Sequence, residues 1–399
     1  MTDPLEQARQ LFLTGIGHFE AQRLEDAEQA FAAALRLAPG RPSLLGNLGI
    51  TQVHLGKFAS AGPLLQAALA GDDQQPDAWR ALGIAQVETH RYDEALASFA
   101  AACEAGADVL SMRLLAAQCQ ARRARLPEAI ALYREVVAGR PESAEAWTEL
   151  GHALRESGQA EAALEAYRTA RERGGDAALI DYFTAALVPS DNAPATAPRA
   201  YVAALFDDYA EKFDDHLVNQ LGYTGHRLLV ERLPADCPAR FARVLDAGCG
   251  TGLIGPLIRP RAELLIGMDL SAGMLDKARA RGVYDQLEQG DLAGYLAGEQ
   301  APFDLILVAD VFVYIGALEE VFERLAARLV PGGWLAFTVE HSPGDGVELR
   351  SSMRYAHAPA YLRKLAAAHG FSWVAEHATA LRYDRQQGID GLAVFLRKD

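Results

Sequence analysis

In the first half of the chain, small and large apolar residues return to the same place every 34 positions. Ala27, Ala61, Ala95, Ala129 and Ala163 share one register, and four residues further on stand Phe31, Leu65, Phe99, Tyr133 and Tyr167. Three positions beyond those come Ala34, Ala68, Ala102, Val136 and Ala170. An earlier cluster in the period carries Leu48-Gly49, Leu82-Gly83 and Leu150-Gly151, with Trp79 and Trp147 three positions ahead of their leucines. Spacings of three and four put side chains on one face of a helix, so each period predicts two helices folded back on one another. The small residues mark where the helices cross closely, and the large one fills the gap toward the next unit. Pro39 and Pro141 fall where a helix must stop. One such hairpin cannot bury its own apolar face, whereas a stack can. Five periods over residues 8–177 therefore predict a helical solenoid.

From residue 199 the period changes. Short β-rich runs at 243–246, 264–269, 303–309 and 334–339 alternate with helical stretches, and a late pair follows at 372–376 and 392–397. That alternation predicts a parallel sheet with helices on its faces. Between the halves, a helix-like stretch at 177–187 is placed to cap the solenoid. Three prolines within residues 189–198 then predict a linker. The chain divides into a helical domain over residues 1–188, that linker, and an α/β domain over residues 199–399.

The W-x2-L-G cluster followed by A-x3-F/Y resembles tetratricopeptide (TPR) repeats. The resemblance implies a concave groove, apolar at its N-terminal end (Phe12, Ile16, Phe19, Ile50, Val53, Ile84, Val87) and polar at the other (Gln118, Arg122, His152, Arg155). A peptide or apolar ligand in that groove competes with plain packing between helices as the use of these positions. The fourth period has Arg113, Ala116 and Ala117 in place of Trp, Leu and Gly, which predicts a locally looser groove.

The first strand of the second half runs into Val244-Leu-Asp-Ala-Gly-Cys-Gly-Thr-Gly252. Glycines at 248, 250 and 252 admit close approach of a ligand to the backbone. A dinucleotide loop wants G-x-G-x-x-G, and here the sixth position is Leu253. Asp246, just before the loop, suits an ammonium better than a diphosphate. The D-x-G-x-G-x-G pattern resembles motif I of class I S-adenosylmethionine-dependent methyltransferases. Asp269-Leu270, at the end of the next strand, matches the ribose-binding position, and Met274 the helix beside the adenine. Asp291-Leu292 matches the adenine-binding motif, Phe303–Asp310 the fourth strand and Leu329–Phe337 the turn into the fifth.

Leu205–Phe213 and Met353-Arg-Tyr-Ala-His357 resemble a bacterial group of predicted methyltransferases that carry N-terminal TPR repeats. The implied architecture is two-domain: an all-α TPR solenoid followed by an α/β Rossmann-like class I methyltransferase fold. The implied cofactor is S-adenosylmethionine, released as S-adenosylhomocysteine. It would be held by Tyr209, Asp246, Gly248, Gly250, Asp269, Leu270, Met274, Asp291, Leu292 and Asp310.

The methyl acceptor is less constrained. A general base is needed only for a protonated acceptor, and His341, Tyr314 and His357 are the candidates near the sheet's carboxyl edge. The D/N-P-P-Y/F signature of adenine and amide N-methylation is absent from Ala309–Tyr314. A small-molecule O-methyltransferase is favoured over a protein or peptide methyltransferase whose acceptor the repeats present. A cofactor-binding scaffold without catalysis and a nicotinamide-dependent hydride transferase stand further back.

Charge narrows the partners. Lys+Arg number 38 against 53 Asp+Glu, a net charge of −15, and both halves are negative. Such a field disfavours nucleic acid and anionic membranes. No run is long enough to span a bilayer, the N-terminus does not read as a signal peptide, and four scattered cysteines predict neither disulfides nor a metal site. A cytoplasmic location is expected.

Overall fold

A computed structural model describes residues 3–188, 193–210, 213–298, 301–384 and 387–399, apart from the side chains of Asp208, Asn219, Asp384 and Gln387. Residues 189–192 of the expected linker and 211–212 of the motif before the sheet lie outside the described residues. The chain divides into two compact units, Met1–Asp176 and Ala177–Asp399.

The first unit is a run of antiparallel helix pairs: α1 (Pro4–Glu20) with α2 (Leu24–Leu37), α3 (Pro42–His54) with α4 (Phe58–Gly71), α5 (Pro76–Glu88) with α6 (Tyr92–Glu104), α7 (Val109–Arg122) with α8 (Leu126–Gly139), and α9 (Ala144–Glu156) with α10 (Ala160–Glu172). The five register-matched alanines Ala27, Ala61, Ala95, Ala129 and Ala163 are each 0% exposed, as the crossing of two helices demands. A Cβ built on Gly15, Gly49, Gly83 or Gly151 would come within 2.4–2.6 Å of Phe31, Leu65, Phe99 or Tyr167. The large residue of the second helix therefore seats on the glycine of its own first helix, rather than only filling the gap to the next unit. Trp79 and Trp147 donate their indole N–H to the carbonyls of Asp73 and Pro141, tying the first helix to the loop before it. In the fourth repeat Ala117 and Tyr133 are fully buried, so the altered residues leave no looseness at that crossing.

The groove positions are mixed. Phe12, Ile16 and Phe19 are half-buried against Phe31 and Leu48, and Ile50 and Val53 against Leu65 and Leu82. His152 is tied through Nδ1 to the Tyr167 hydroxyl at 2.8 Å. Packing between helices accounts for much of what the sequence assigns to the groove.

The second unit begins with α11 (Ala177–Ala185), the helix expected to cap the solenoid; its packing places it here. Tyr182 and Phe183 are buried, and the Tyr182 hydroxyl donates to the Met353 carbonyl at 2.5 Å. Residues 194–197 are also pinned rather than a free linker. Thr196 bridges to Ile315, Gly316 and Ala317 donate their N–H groups to the Ala195 carbonyl, and Tyr355 donates its hydroxyl to the Pro194 carbonyl. Then come α12 (Arg199–Tyr209), a π-helical turn (Asp215–Gln220) and α13 (Gly225–Glu231).

The sheet strands are β1 (Phe241–Ala247), β2 (Ala262–Asp269), β3 (Gln286–Gln289), β4 (Phe303–Val308), β5 (Leu329–His341), β6 (Val347–Leu349), β7 (Tyr355–His357), β8 (Phe371–Asp384) and β9 (Gln387–Lys398). Among them lie α14 (Gly255–Ile258), α15 (Ala272–Ala280), α16 (Leu292–Ala297), α17 (Glu319–Arg328) and α18 (Pro359–Ala368). Strands β3-β2-β1-β4-β5 run parallel, and β9 closes against β5 and β8 in antiparallel register. Leu305–Val308 of β4 are all 0% exposed, as befits a central parallel strand covered on both faces. Beyond the end of β4, β5 pairs in parallel with β7, Glu340 with Ala356 and His341 with His357. Since β9 holds the other edge of β5 at Glu340, β7 occupies the edge that β4 vacates.

Candidate active site

The sheet's carboxyl edge opens into a cavity of about 450 Å³, within the range that holds a small-molecule ligand. Nine of the ten residues expected to hold the cofactor line it: Asp246, Gly248, Gly250, Asp269, Leu270, Met274, Asp291, Leu292 and Asp310. Tyr209 does not. Its ring stacks edge-on against Phe213 and His216, and Phe206 and Phe213 of the same segment reach the cavity instead.

The loop after β1 is shaped by glycine. Gly248 has φ +73°, and a Cβ there would lie 2.2 Å from Val311. Asp246 is completely buried. One oxygen accepts from the Tyr284 hydroxyl at 2.6 Å, while Oδ1 has no partner among the described residues. Burial pushes its pKa up to about 7, opposed by the Tyr284 hydrogen bond. An unpartnered buried carboxylate oxygen on a ligand cavity fits the ammonium group of an amino acid.

Asp269 holds the loop from the other side. Oδ2 accepts from Gly250 N–H at 2.8 Å and Oδ1 from Ser271 N–H at 2.9 Å. Each oxygen keeps a lone pair, so a pair of ribose hydroxyls still fits. Burial raises the Asp269 pKa, and the backbone donors Ser271, Gly250 and Leu270 oppose that. Asp291 caps α16 through Gly294 N–H at 2.8 Å, and its Oδ2 pairs with Arg199 of α12 at 2.8 Å. Both Asp291 and Arg199 line the cavity. Two further ties hold the segment before β1 to the cofactor loops: Asp207 accepts from Ser271 Oγ and Gly273 N–H, and Asp214 accepts from Thr251 Oγ1 and Arg281.

Of the three candidate bases, Tyr314 lines the cavity; His341 and His357 do not. His357 is fully buried, and its Nε2–H donates to the carbonyls of Ile315 and Gly316 at 3.0 and 3.1 Å. Burial lowers its pKa to about 4. It fixes the 315–316 turn from behind, and His341 shares its position on the adjoining strand. Burial also raises the Tyr314 pKa, despite the nearby Arg354, so the phenol is a proton donor at neutral pH and not a base. The sequence reading missed His226, which lines the cavity, stacks on Tyr223 at 5.5 Å and has its pKa lowered to about 4 by burial. No motif marks it; only the fold brings it there. Cys249 also lines the cavity, but burial holds its thiol well above the usual range, so it is no nucleophile.

A partly buried charge cluster lies past β4. Asp310 binds Arg382 at 3.1 Å and Arg354 at 3.3 Å, so both its oxygens are engaged within the protein. Glu340 binds Arg382 and, at 3.0 Å, Arg350.

Residues 244–333 match a methyltransferase domain family, and residues 12–78, 47–109, 80–144 and 121–187 match tetratricopeptide repeats. Malonyl-[acyl-carrier protein] O-methyltransferase of Enterobacter lignolyticus is 38% identical over 137 residues, 34% of this chain and 52% of that protein. The tRNA 5-carboxymethoxyuridine methyltransferase of Escherichia coli is 32% identical over 152 residues, 35% of this chain and 57% of that protein. Trans-aconitate 2-methyltransferase of Methylobacterium nodulans is 34% identical over 142 residues, 35% of this chain and 53% of that protein. The chain thus spans about half the length of the curated relatives it matches. With the glycine loop held between Asp246 and Asp269 at the carboxyl edge of a parallel sheet, and helix pairs repeating every 34 residues before it, the chain joins a run of tetratricopeptide repeats to a domain of the methyltransferase family.

Proposed function

We propose that the chain transfers a methyl group from S-adenosylmethionine to an oxygen of a small-molecule acceptor, and that the solenoid presents that acceptor or its carrier. The observation that carries this reading is the unpartnered Asp246 Oδ1 inside a cavity lined by the motif residues. Asp246 would hold the amino group, Asp269 the ribose hydroxyls, and Asp291 with Leu292 and Met274 the adenine. Bound there, the cofactor supplies an already activated methyl group. The protein's own work is then to align the acceptor and exclude water. Phe206 and Phe213, on the segment tied down by Asp207 and Asp214, supply an apolar cover for that purpose.

The relatives' names give acceptors as different as an acyl carrier protein, a tRNA and trans-aconitate. The net charge of −15 weighs against RNA here. The solenoid has its own hollow of about 600 Å³, bordered by Trp79, Gln86 and Glu94, which supports a role in holding a partner.

Thermal shift with S-adenosylhomocysteine, S-adenosylmethionine and NAD in parallel tests the cofactor. Stabilisation by the first two alone is expected. At 100 times the dissociation constant it amounts to about 2.7 kcal/mol. Stabilisation by NAD alone, or by none of the three, would remove the reading.

A further inference from the structure

The cofactor read into the cavity ends in an amino acid, and Asp246 accounts for only one of the two charges of that end. The carboxylate is one carbon away from the ammonium, so the groups that bind it must stand close to Asp246. The glycine loop offers little. Gly248 and Cys249 donate their N–H groups to the Met268 carbonyl, Gly250 donates to Asp269 Oδ2, and Gly252 to the Cys249 carbonyl. The Thr251 hydroxyl is given to Asp214. The guanidinium groups are engaged as well: Arg281, which reaches the loop, is bound to Asp214 and the Thr251 carbonyl, and Arg199 is bound to Asp291.

Two side chains on the cavity do have donors to give. Tyr223 is 4% exposed and His226 7%, and both line the cavity. The Tyr223 hydroxyl and His226 Nδ1 have no hydrogen-bond partner among the described residues. A buried polar group left unpaired is costly, so two of them side by side on a cavity call for a ligand. Their rings stack at 5.5 Å with 23° between the planes. The backbone around Tyr223 is pinned: its N–H donates to the Leu217 carbonyl at 3.0 Å, Thr224 N–H to the Leu381 carbonyl at 3.1 Å, and Tyr383 N–H to the Leu221 carbonyl at 2.7 Å. Gly225 leaves the phenol its room, since a Cβ there would lie 2.6 Å from the hydroxyl oxygen.

Of the two phenols on the cavity, Tyr223 is the one that feels Asp246. Burial holds its pKa well above the usual range; Asp310 and Asp246 add to that, against Arg382 and Thr338. Tyr314 instead feels Arg354, Asp310, Arg382 and Glu340. Tyr223 is therefore a proton-bearing donor at neutral pH. Burial lowers the His226 pKa to about 4, with Arg227 and Arg281 adding to the effect and Asp214 and Glu231 opposing it. The imidazole is then uncharged and carries one N–H. Tyr209, the phenol expected at the cofactor, turns its ring to Phe213 and His216 and does not line the cavity.

We propose that the Tyr223 hydroxyl and a ring N–H of His226 bind the carboxylate of the cofactor's amino-acid end, with Asp246 on its ammonium. This rests on the methyl-transfer reading above and names the residues that fix that end. Hydrogen bonds to a charged acceptor are the strong ones, and two of them beside the Asp246 contact leave the amino acid one orientation. The sulfur is thereby held in place for the displacement. The pair also makes the site selective, because a ligand without the carboxyl group leaves both donors buried and unpaired.

The test is calorimetric binding of three ligands to the full chain: S-adenosylhomocysteine, its decarboxylated analogue, which keeps the amine, and methylthioadenosine, which lacks the amino-acid end. Wild type should prefer S-adenosylhomocysteine to the decarboxylated analogue by about tenfold or more. Tyr223→Phe keeps the ring and its stack. It should weaken S-adenosylhomocysteine by about tenfold and change the decarboxylated analogue by less than about twofold. His226→Phe should act in the same way, and the double variant should bind the two ligands alike. Methylthioadenosine should bind every variant as it binds wild type, which reports an intact nucleoside site. If one variant loses methylthioadenosine as well, the wild-type preference and the other variant decide. The proposal is overturned if wild type does not distinguish the two amines, or if the variants bind S-adenosylhomocysteine as wild type does or lose both amines equally. Failure of wild type to bind S-adenosylhomocysteine at all would instead remove the reading on which it rests.

Discussion

At the scale of single residues, the backbone positions that depart from ordinary conformation divide by purpose. Gln22, Gly56, His90, Ala124 and Gly158 are 34 residues apart, and all lie at φ between 58 and 79°. They are the left-handed turn residue joining the two helices of each repeat, where only glycine is unstrained. Ala124 has only a methyl group to lose. Ala124→Gly should therefore stabilise the first unit by about 0.5–1 kcal/mol, and Gly56→Ala should destabilise it by a similar amount. Denaturant midpoints check both, and an unchanged or lower midpoint for Ala124→Gly would show that the turn carries no strain.

Asp246 makes a prediction of a different kind. Its pKa of about 7 in the folded protein lies above its unfolded value near 4. The protonated form is therefore favoured by folding. That contribution to stability is complete below about pH 4 and fades as the pH rises to about 7. Ligand binding has the opposite sign, since an ammonium group at Oδ1 needs the ionised carboxylate. Affinity for S-adenosylhomocysteine should rise about tenfold per pH unit between about 5 and 7, with one proton released. Titration calorimetry in two buffers of different ionisation enthalpy measures the proton. Asp246→Asn should abolish the slope; a slope that survives belongs to another group.

At the scale of elements, the contrast between what the sequence shows and what it hides is physical. The ten solenoid helices are legible because a 34-residue period repeats the same burial demand five times. The strands β1, β2, β4 and β5 are legible as apolar runs ending in motif residues. Strand β3, Gln286–Gln289, is not, because an edge strand with one apolar residue has no pattern to show. Strand β7 is three residues long and is defined by its place beyond β4. Nine of the ten residues expected at the cofactor share one cavity because backbone geometry forces their spacing, whereas the charge cluster joins Asp310, Glu340, Arg350, Arg354 and Arg382, which only the sheet brings together. His341 and His357, candidates on sequence, do not line the cavity: a histidine near a carboxyl edge can face the ligand or, like His357, the turn behind it. Helix α11 is the element whose assignment a fragment can check. A fragment beginning at residue 177 should fold and bind S-adenosylhomocysteine as the full chain does. One beginning at residue 189 loses the buried Ile180, Tyr182 and Phe183 and the bond to Met353. It should be less stable by several kcal/mol, about the cost of two or three emptied aromatic or aliphatic sites. Equal melting temperatures for the two fragments would return α11 to the solenoid.

At the scale of the whole molecule, the two units hold their stability in different ways. In the solenoid each pair of helices is buried by its neighbours, as the separate clusters around Phe31, Leu65 and Phe99 show, so unfolding is the sum of many local steps. In the second unit one sheet carries two large cores, one on each face, and strands β1, β2, β4 and β5 each contribute to both. Unfolding there should be a single cooperative transition. All the residues that line the cofactor cavity lie between Ala195 and Val321, within the second unit. Calorimetric melting of the full chain should therefore give a broad transition and a sharp one, and S-adenosylhomocysteine should move only the sharp one. At 100 times its dissociation constant the ligand adds about 2.7 kcal/mol, which for a unit of this size corresponds to a rise of roughly 5–10 °C. Movement of both transitions by the ligand would mean that the solenoid senses the cofactor, and the two functions would then be coupled rather than joined.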